Sequence, residues 1–168
     1  MSLLIPRKKF LSLSFLGSAA FLTGKSVYPQ QQQQAPAKPP ALSAELVKEF
    51  VAKSHSDLDR VKELLKQEPG LLNCSWDWGG GDFESGLEAA GHMGRKDIAE
   101  LFLSNGARMN IFCAAMLGRL DIVKTILTAY PELKTSKGPH GLQLLHHATK
   151  GGDDSVETLK YLESIGAA

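Results

Sequence analysis

Cysteine is scarce in this sequence of 168 residues, which contains only Cys74 and Cys113. Neither residue lies in a pattern with histidine that is typical of a catalytic nucleophile. Cys113 stands on an apolar stretch, where a buried thiol is the usual state of a cysteine. We therefore expect two free thiols, although export into an oxidising compartment would allow the pair to form a disulfide.

The chain also lacks a strong excess of either charge. Its formal net charge is +1, and from Ala35 onward 15 Lys and Arg stand against 18 Asp and Glu. A slightly acidic folded part is a poor partner for nucleic acid or anionic lipid, which basic surfaces recognise. The sequence thus predicts that the protein does not bind nucleic acid.

No apolar run reaches the roughly 20 residues that a membrane-spanning helix needs. The apolar stretch at residues 10–22 follows a basic segment, as in an export signal. The order Arg7-Lys8-x-Phe10-Leu11 resembles a twin-arginine (Tat) signal in which lysine replaces the second arginine, and a Sec signal is the alternative. We expect residues 1–26 to direct export to the periplasm or the extracellular space. An amphipathic helix or an uncleaved signal that anchors the protein to the membrane is the remaining alternative.

A segment of low complexity, residues 27–41, follows this signal. Its sequence, VYPQQQQQAPAKPPA, offers almost no bulky apolar side chains to bury. Such a composition predicts a disordered linker, because too little apolar surface is available to offset the entropy of ordering. Residues 42–168 then form the predicted folded domain, whose first helix begins after Ser43.

Residues 85–110 have the pattern of two helices joined by a tight turn. Ser85 and Glu88 match the S-x-x-E capping box that begins a helix. Gly94 permits the left-handed conformation that often ends one. Asp97 is then the expected N-cap of the second helix.

The same pattern recurs before and after this unit. Ser56, Gly94, Gly118 and Gly152 occupy its turn position in succession, at intervals of 38, 24 and 34 residues. Self-similarity near 33 residues is typical of stacked helical arrays. The recurring pieces, such as GRKDIAELFLSNGARMN and GLQLLHHATKGG with its L-H-x-A, resemble divergent ankyrin repeats.

This resemblance implies an all-α fold, an ankyrin-like solenoid of about four helix–turn–helix repeats with an N-terminal capping helix. It also implies that His146, in the L-H-x-A motif, forms hydrogen bonds between repeats. No unit carries the full T-P-L-H motif of the family. The second interval is short, so we expect the β-hairpin finger of an ankyrin repeat to be missing after Asn110.

An unusual segment, WDWGGGDFE at residues 76–84, occupies the finger position after the first repeat. Its three glycines allow backbone conformations that other residues avoid, and its tryptophans offer large contact areas. The resemblance implies recognition of a protein or peptide partner through the concave face and this finger. The alternatives are that both tryptophans are buried between repeats, or that one is buried and the other exposed. The expected contact residues are Trp76, Asp77, Trp78, Asp82, Glu84, His92, Arg95, Arg119 and His140.

The five histidines show no H-x-x-x-H or H-E-x-x-H spacing, so local sequence indicates no metal site. We accordingly expect no cofactor, no metal and no enzymatic activity. The alternative function is a small-molecule-binding or metal-binding protein or an enzyme that uses Asp77, Glu84, His92 and His140. In that alternative, Glu88 would also face the pocket.

Overall fold

The computed structural model of the protein describes residues 38–167. The predicted export signal and most of the predicted linker fall on residues 1–37, so they lie outside the described residues and stay predictions. Within the described part of the chain, no helix combines the length and the apolar character needed to cross a membrane.

The described chain is mostly helical, as expected for the all-α class, and eight α-helices account for most of it. They are α1 (Ala44–Lys53), α2 (Leu58–Gln67), α3 (Gly86–Met93), α4 (Lys96–Ser104), α5 (Ile111–Met116), α6 (Leu120–Ala129), α7 (Leu144–Lys150) and α8 (Val156–Ser164). Short 3-10 helices span Pro69–Asn73, Pro131–Thr135, Pro139–Gly141 and Gly152–Ser155. Two short antiparallel strands, β1 (Ser75–Asp77) and β2 (Phe83–Ser85), form a hairpin between α2 and α3.

The helices pack in consecutive pairs, α1 with α2, α3 with α4, α5 with α6 and α7 with α8. The first helices of successive pairs also contact one another, and α3 reaches α7 as well as α5. Burial divides the interior into two apolar clusters. The first includes Phe50 and Phe102, and the second includes Val123, Leu144 and Leu162.

Local capping sets most of the helix boundaries near the hairpin. Ser85 and Glu88 form the predicted capping box, and Gly94 ends α3 with φ 73°. The predicted N-cap at Asp97 is wrong, because Arg95 occupies that position without a side-chain cap. Asp97 lies in the first turn instead, where its carboxylate favours the positive end of the helix dipole and pairs with Arg95.

The chain forms no hairpin after Asn110, as the short repeat interval predicts. The Asn110 side chain accepts a hydrogen bond from the Cys113 amide at 2.8 Å and thereby begins α5 directly. Cys113 and Cys74 are both free thiols. Burial raises the pKa of Cys113 to about 12 and that of Cys74 to about 11, so both remain protonated at neutral pH.

Candidate functional site

The finger, which we define as residues 75–85, is a hairpin with a glycine-rich turn. Strand pairing places Trp76 opposite Glu84 and Asp77 opposite Phe83. The turn glycines 79–81 all have positive φ, a backbone conformation that residues with a Cβ rarely adopt. Asp77 Oδ1 accepts hydrogen bonds from two of their amides, at 2.8 and 3.1 Å, so its carboxylate stabilises the turn.

The two faces of the finger differ in burial, as the alternation of strand side chains requires. Trp76 and Glu84 share the inner face, where Trp76 is half-buried against the first apolar cluster and Glu84 is fully buried. Phe83 points outward and is 62% exposed. Trp78 follows β1 and is 37% exposed. One tryptophan therefore belongs to the core and the other borders the surface.

Three histidines surround the buried carboxylate of the finger. We call His55, Glu84, His92 and His140 the donor cluster, because one nitrogen or oxygen atom of each lies within 4.8 Å of all the others. Glu84 Oε1 is 2.9 Å from His92 Nε2 and 3.3 Å from His140 Nε2. Glu84 Oε2 is 3.4 Å from His55 Nε2. All three imidazoles thus direct the same nitrogen, Nε2, toward the carboxylate.

Helix α1 and the turn after it position His55. Its Nδ1 lies 3.1 Å from the carbonyl oxygens of Val51 and Ala52, at the end of α1. A carbonyl oxygen can only accept a hydrogen bond. Nδ1 therefore carries the proton and donates a hydrogen bond to the end of α1. The Nε2 lone pair is consequently directed into the donor cluster.

His140 is oriented in the same way by a carboxylate of the finger. Its Nδ1 is 2.7 Å from Asp82 Oδ2, and its backbone amide donates to Asp82 Oδ1 at 2.8 Å. These contacts hold the pKa of Asp82 below its usual value, with the amide hydrogen bond as the largest cause. His140 is also the one non-glycine residue with positive φ, 58°, among those that the structure describes. Strained backbone of this kind is concentrated at functional sites.

Glu84 combines full burial with an incomplete set of partners. The indole Nε1–H of Trp78 donates to Oε2 at 2.7 Å. Oε1 and the Nε2 of His92 are both buried and form no hydrogen bond, although they lie 2.9 Å apart. Burial alone would raise the pKa of Glu84, but the imidazole of His92 and the indole N–H of Trp78 outweigh it and hold the pKa below its usual value.

The donor cluster includes three of the predicted site residues, Glu84, His92 and His140. Two others, Trp78 and Asp82, border it through hydrogen bonds to these donors. The remaining predicted residues lie elsewhere. Trp76 packs against the core, Asp77 holds the glycine turn, Arg95 pairs with Asp97, and Arg119 lies exposed before α6.

Two expectations about the alternative site are wrong. Asp77 does not face the histidines, because its partner across the hairpin is the outward Phe83. Glu88 is engaged in the capping box and accepts a hydrogen bond from Asn110 at 2.9 Å. Neither carboxylate is free to join the donor cluster.

His55 is the donor that the sequence prediction omitted. His55 lies just after the end of α1, and His92 lies in the last turn of α3. The first helices of successive pairs lie side by side. Histidines at the same end of neighbouring helices in an array are close in space. The repeat register, rather than any short motif, is the signal that would have identified His55.

The other two histidines have structural contacts. His146 Nε2 lies 3.0 Å from the backbone oxygen of His92, so it donates from α7 to α3, as the repeat resemblance implies. His147 is buried and donates from Nδ1 to the Gln143 oxygen at 2.9 Å. Neither ring belongs to the donor cluster.

No protein-family model matches this chain, and no curated protein matches it with significant similarity. The geometry of the donor cluster is therefore the main basis for an inference about function.

Proposed function

We propose that the protein binds one divalent transition-metal ion through His55, Glu84, His92 and His140, with Zn²⁺ as the first candidate. The convergence of three Nε2 atoms on one buried carboxylate carries this proposal. Imidazole and carboxylate donors together suit zinc and its neighbours in the first transition row, whereas magnesium and calcium prefer oxygen donors alone.

The distances within the donor cluster support a metal ion. Zinc–nitrogen bonds of about 2.0–2.1 Å in a tetrahedron place neighbouring donors about 3.4 Å apart. Glu84 Oε1 lies 2.9 Å from His92 Nε2 and 3.3 Å from His140 Nε2, and the four donor atoms all lie within 4.8 Å of one another. Small adjustments of the side chains would bring all four donors to bonding distance of one ion.

The charge balance also favours a metal ion over protons. Glu84 is fully buried, and an ionised carboxylate without a cationic partner is costly in such a position. One protonated imidazole would offset this charge but would leave the Nε2 lone pairs of the other two imidazoles without a partner in the donor cluster. One divalent ion neutralises the carboxylate and binds the nitrogen lone pairs at once.

The hydrogen bonds around the donor cluster resemble those around metal-binding residues in general. Histidine ligands usually donate their second ring N–H to a carboxylate or a carbonyl, which fixes the tautomer. His140 does so to Asp82, and His55 does so to the end of α1. Trp78 donates to the second oxygen of Glu84, which leaves Oε1 as the ligand atom.

A set of four protein donors is typical of a structural metal site, since catalytic zinc sites keep one position for water or substrate. Two surface cavities of the described chain are lined by other residues, and none of the four donors borders either cavity. We therefore propose a metal-binding protein without enzymatic activity.

Recognition of a protein or peptide partner is a second candidate function. The paired helices of the described chain support the proposal that they form four divergent ankyrin-like repeats, a class of array that commonly presents a binding surface. Trp78, Phe83 and Met93 are exposed on the finger and at the end of α3. Exposed aromatic side chains of this kind are frequent anchors of protein interfaces.

The test of metal binding uses the full chain without a histidine tag, stripped with a chelator and titrated with Zn²⁺ by calorimetry. We expect one ion per chain, confirmed by elemental analysis after gel filtration. Glu84→Gln removes a ligand and should weaken affinity by at least about 100-fold, more than the loss of an outer hydrogen bond costs.

Two variants serve as controls for this measurement. Glu157→Gln makes the same chemical change on the exposed face of α8, where the side chain is 73% exposed. His146→Asn removes a histidine whose ring donates to the backbone oxygen of His92 and packs edge-on against His147, outside the donor cluster. Both should bind Zn²⁺ with the parent stoichiometry. Failure of the parent chain to take up Zn²⁺, Co²⁺ or Ni²⁺ stoichiometrically would contradict the proposal.

A further inference from the structure

The four donors belong to separate parts of the fold. His55 lies in the turn after α1, Glu84 lies on the finger, and His92 lies at the end of α3. His140 lies in the 138–141 loop, which leads into α7. A metal ion bound by all four would link the N-terminal helices, the finger and the start of the C-terminal helices.

This linkage would connect the two apolar clusters of the interior. The segments that carry His55 and His92 adjoin the first cluster, which contains Val51 and Ala90. The 138–141 loop precedes Leu144, which is fully buried in the second cluster. The ion would thus join elements whose side chains pack in different clusters.

The tip of the finger has few attachments other than those at the donor cluster. Each strand has three residues, and an isolated two-stranded hairpin is at best marginally stable in water. No atom outside the turn lies near the positions where the turn glycines 79–81 would carry a Cβ. The base of the finger is held by Trp76 on the core and by Ser85 as the N-cap of α3, and the rest is held by Glu84 in the donor cluster and by Asp82 on His140.

The contact between Asp82 and His140 is weak without further support. Both side chains are one-third exposed, and exposed ion pairs contribute little stability. His140 must also keep its left-handed backbone, which is unfavourable for a residue with a Cβ. The buried Oε1 of Glu84 adds a desolvation cost unless a cation compensates it.

We propose that the metal ion controls the positions of the finger and of the 138–141 loop by holding both against the ends of α1 and α3, an inference that depends on the proposed metal binding. An ion that binds only when the finger and the 138–141 loop are both in place shifts the population toward that arrangement. Metal loading then determines whether the exposed side chains of the finger, Trp78 and Phe83, are presented in a fixed geometry.

Hydrogen exchange of the full chain, measured by mass spectrometry with excess chelator and with saturating Zn²⁺, tests this coupling. We expect Zn²⁺ to slow amide exchange by about tenfold or more in peptides that cover 75–85 and 137–143, since bound ligand lowers the population of open states. Peptides from α6, which carries none of the four donors, should change little and provide an internal control.

His140→Asn separates the two attachments, because asparagine tolerates the left-handed backbone but is too short to reach the ion. In this variant, saturated with Zn²⁺ at higher concentration, we expect protection of the finger to persist and that of residues 137–143 to be lost. Equal protection of this segment in variant and parent would overturn the proposal.

A second outcome would also overturn the coupling. If Zn²⁺ binds stoichiometrically by calorimetry but exchange in 75–85 and 137–143 stays at the chelator level, the site is already rigid and the ion controls nothing. If Zn²⁺ does not bind at all, the proposed metal site itself fails, and the coupling fails with it. Calorimetry on the same sample distinguishes the two failures.

Discussion

At the scale of single residues, the orientation of three of the four donors depends on one neighbour each. Asp82 fixes His140, the end of α1 fixes His55, and Trp78 fixes Glu84. These contacts set tautomers and select Oε1 as the free carboxylate oxygen. A neighbour of this kind does not bind the ion, but its removal lets the ligand rotate or protonate, which lowers affinity.

Trp78→Phe tests this role with the ring volume largely kept. Loss of the N–H donor to Glu84 Oε2 should weaken Zn²⁺ binding about 10- to 100-fold, measured by competition with a chromophoric chelator. Trp76→Phe is the matched control, because it makes the same change opposite Glu84 on the hairpin, where the indole packs against the core and donates no hydrogen bond to the donor cluster. Its Zn²⁺ affinity should equal that of the parent. Equal affinities in the two variants would show that the indole hydrogen bond does not support Glu84.

At the scale of elements, the turns between helices depend on glycine for two different reasons. Gly106 and Gly118 both have positive φ, 87° and 66°. A Cβ on Gly106 would meet open space, whereas one on Gly118 would lie 2.0 Å from the backbone oxygen of Asp154. The first glycine is needed only for its conformation, and the second also lets α5 and the segment before α8 approach closely.

Alanine at each position should separate the two effects. Gly106→Ala should lower the free energy of unfolding by about 1–2 kcal/mol, which is the cost of the left-handed conformation. Gly118→Ala adds a backbone clash and should lower it by at least about 3 kcal/mol. Urea denaturation followed by circular dichroism gives both values. Similar losses for the two variants would mean that the Asp154 segment moves away without cost.

At the scale of the whole molecule, the buried His147 makes stability sensitive to acid. Burial lowers the pKa of His147 to about 4, despite its hydrogen bond to Gln143. The unfolded chain binds this proton near pH 6.5, so protonation favours unfolding between pH 6.5 and 4. Above pH 6.5 both states are neutral and His147 has no effect on the pH dependence.

His147→Leu should remove this part of the acid sensitivity. Between pH 7.5 and pH 5, the parent should lose about 2 kcal/mol more of its unfolding free energy than the variant, from 1.36 kcal/mol per pH unit below 6.5. Urea titrations with a chelator present keep the histidines of the donor cluster in the same metal-free state in both proteins. A parallel decline of the two proteins with pH would contradict the assignment of this sensitivity to His147.

Several features of the molecule follow from neighbouring residues alone. Ser85, Glu88 and Gly94 predict the limits of α3, because caps and left-handed turns act over three or four residues. Asn110 likewise begins α5 where the short repeat interval predicts a direct connection. The helical character of the chain and the recurring pairs of helices can be predicted from the sequence for the same reason.

Only the tertiary structure determines which residues come together in the donor cluster. A one-residue shift in strand register would turn Phe83 inward and Glu84 outward, so the choice of Glu84 over Asp77 depends on how the hairpin packs. His55 and His140 are far apart in sequence and meet only because α1, the finger and the 138–141 loop end at one place. Metal ligation requires convergence in space, and no short sequence spacing encodes it when each donor comes from a different element.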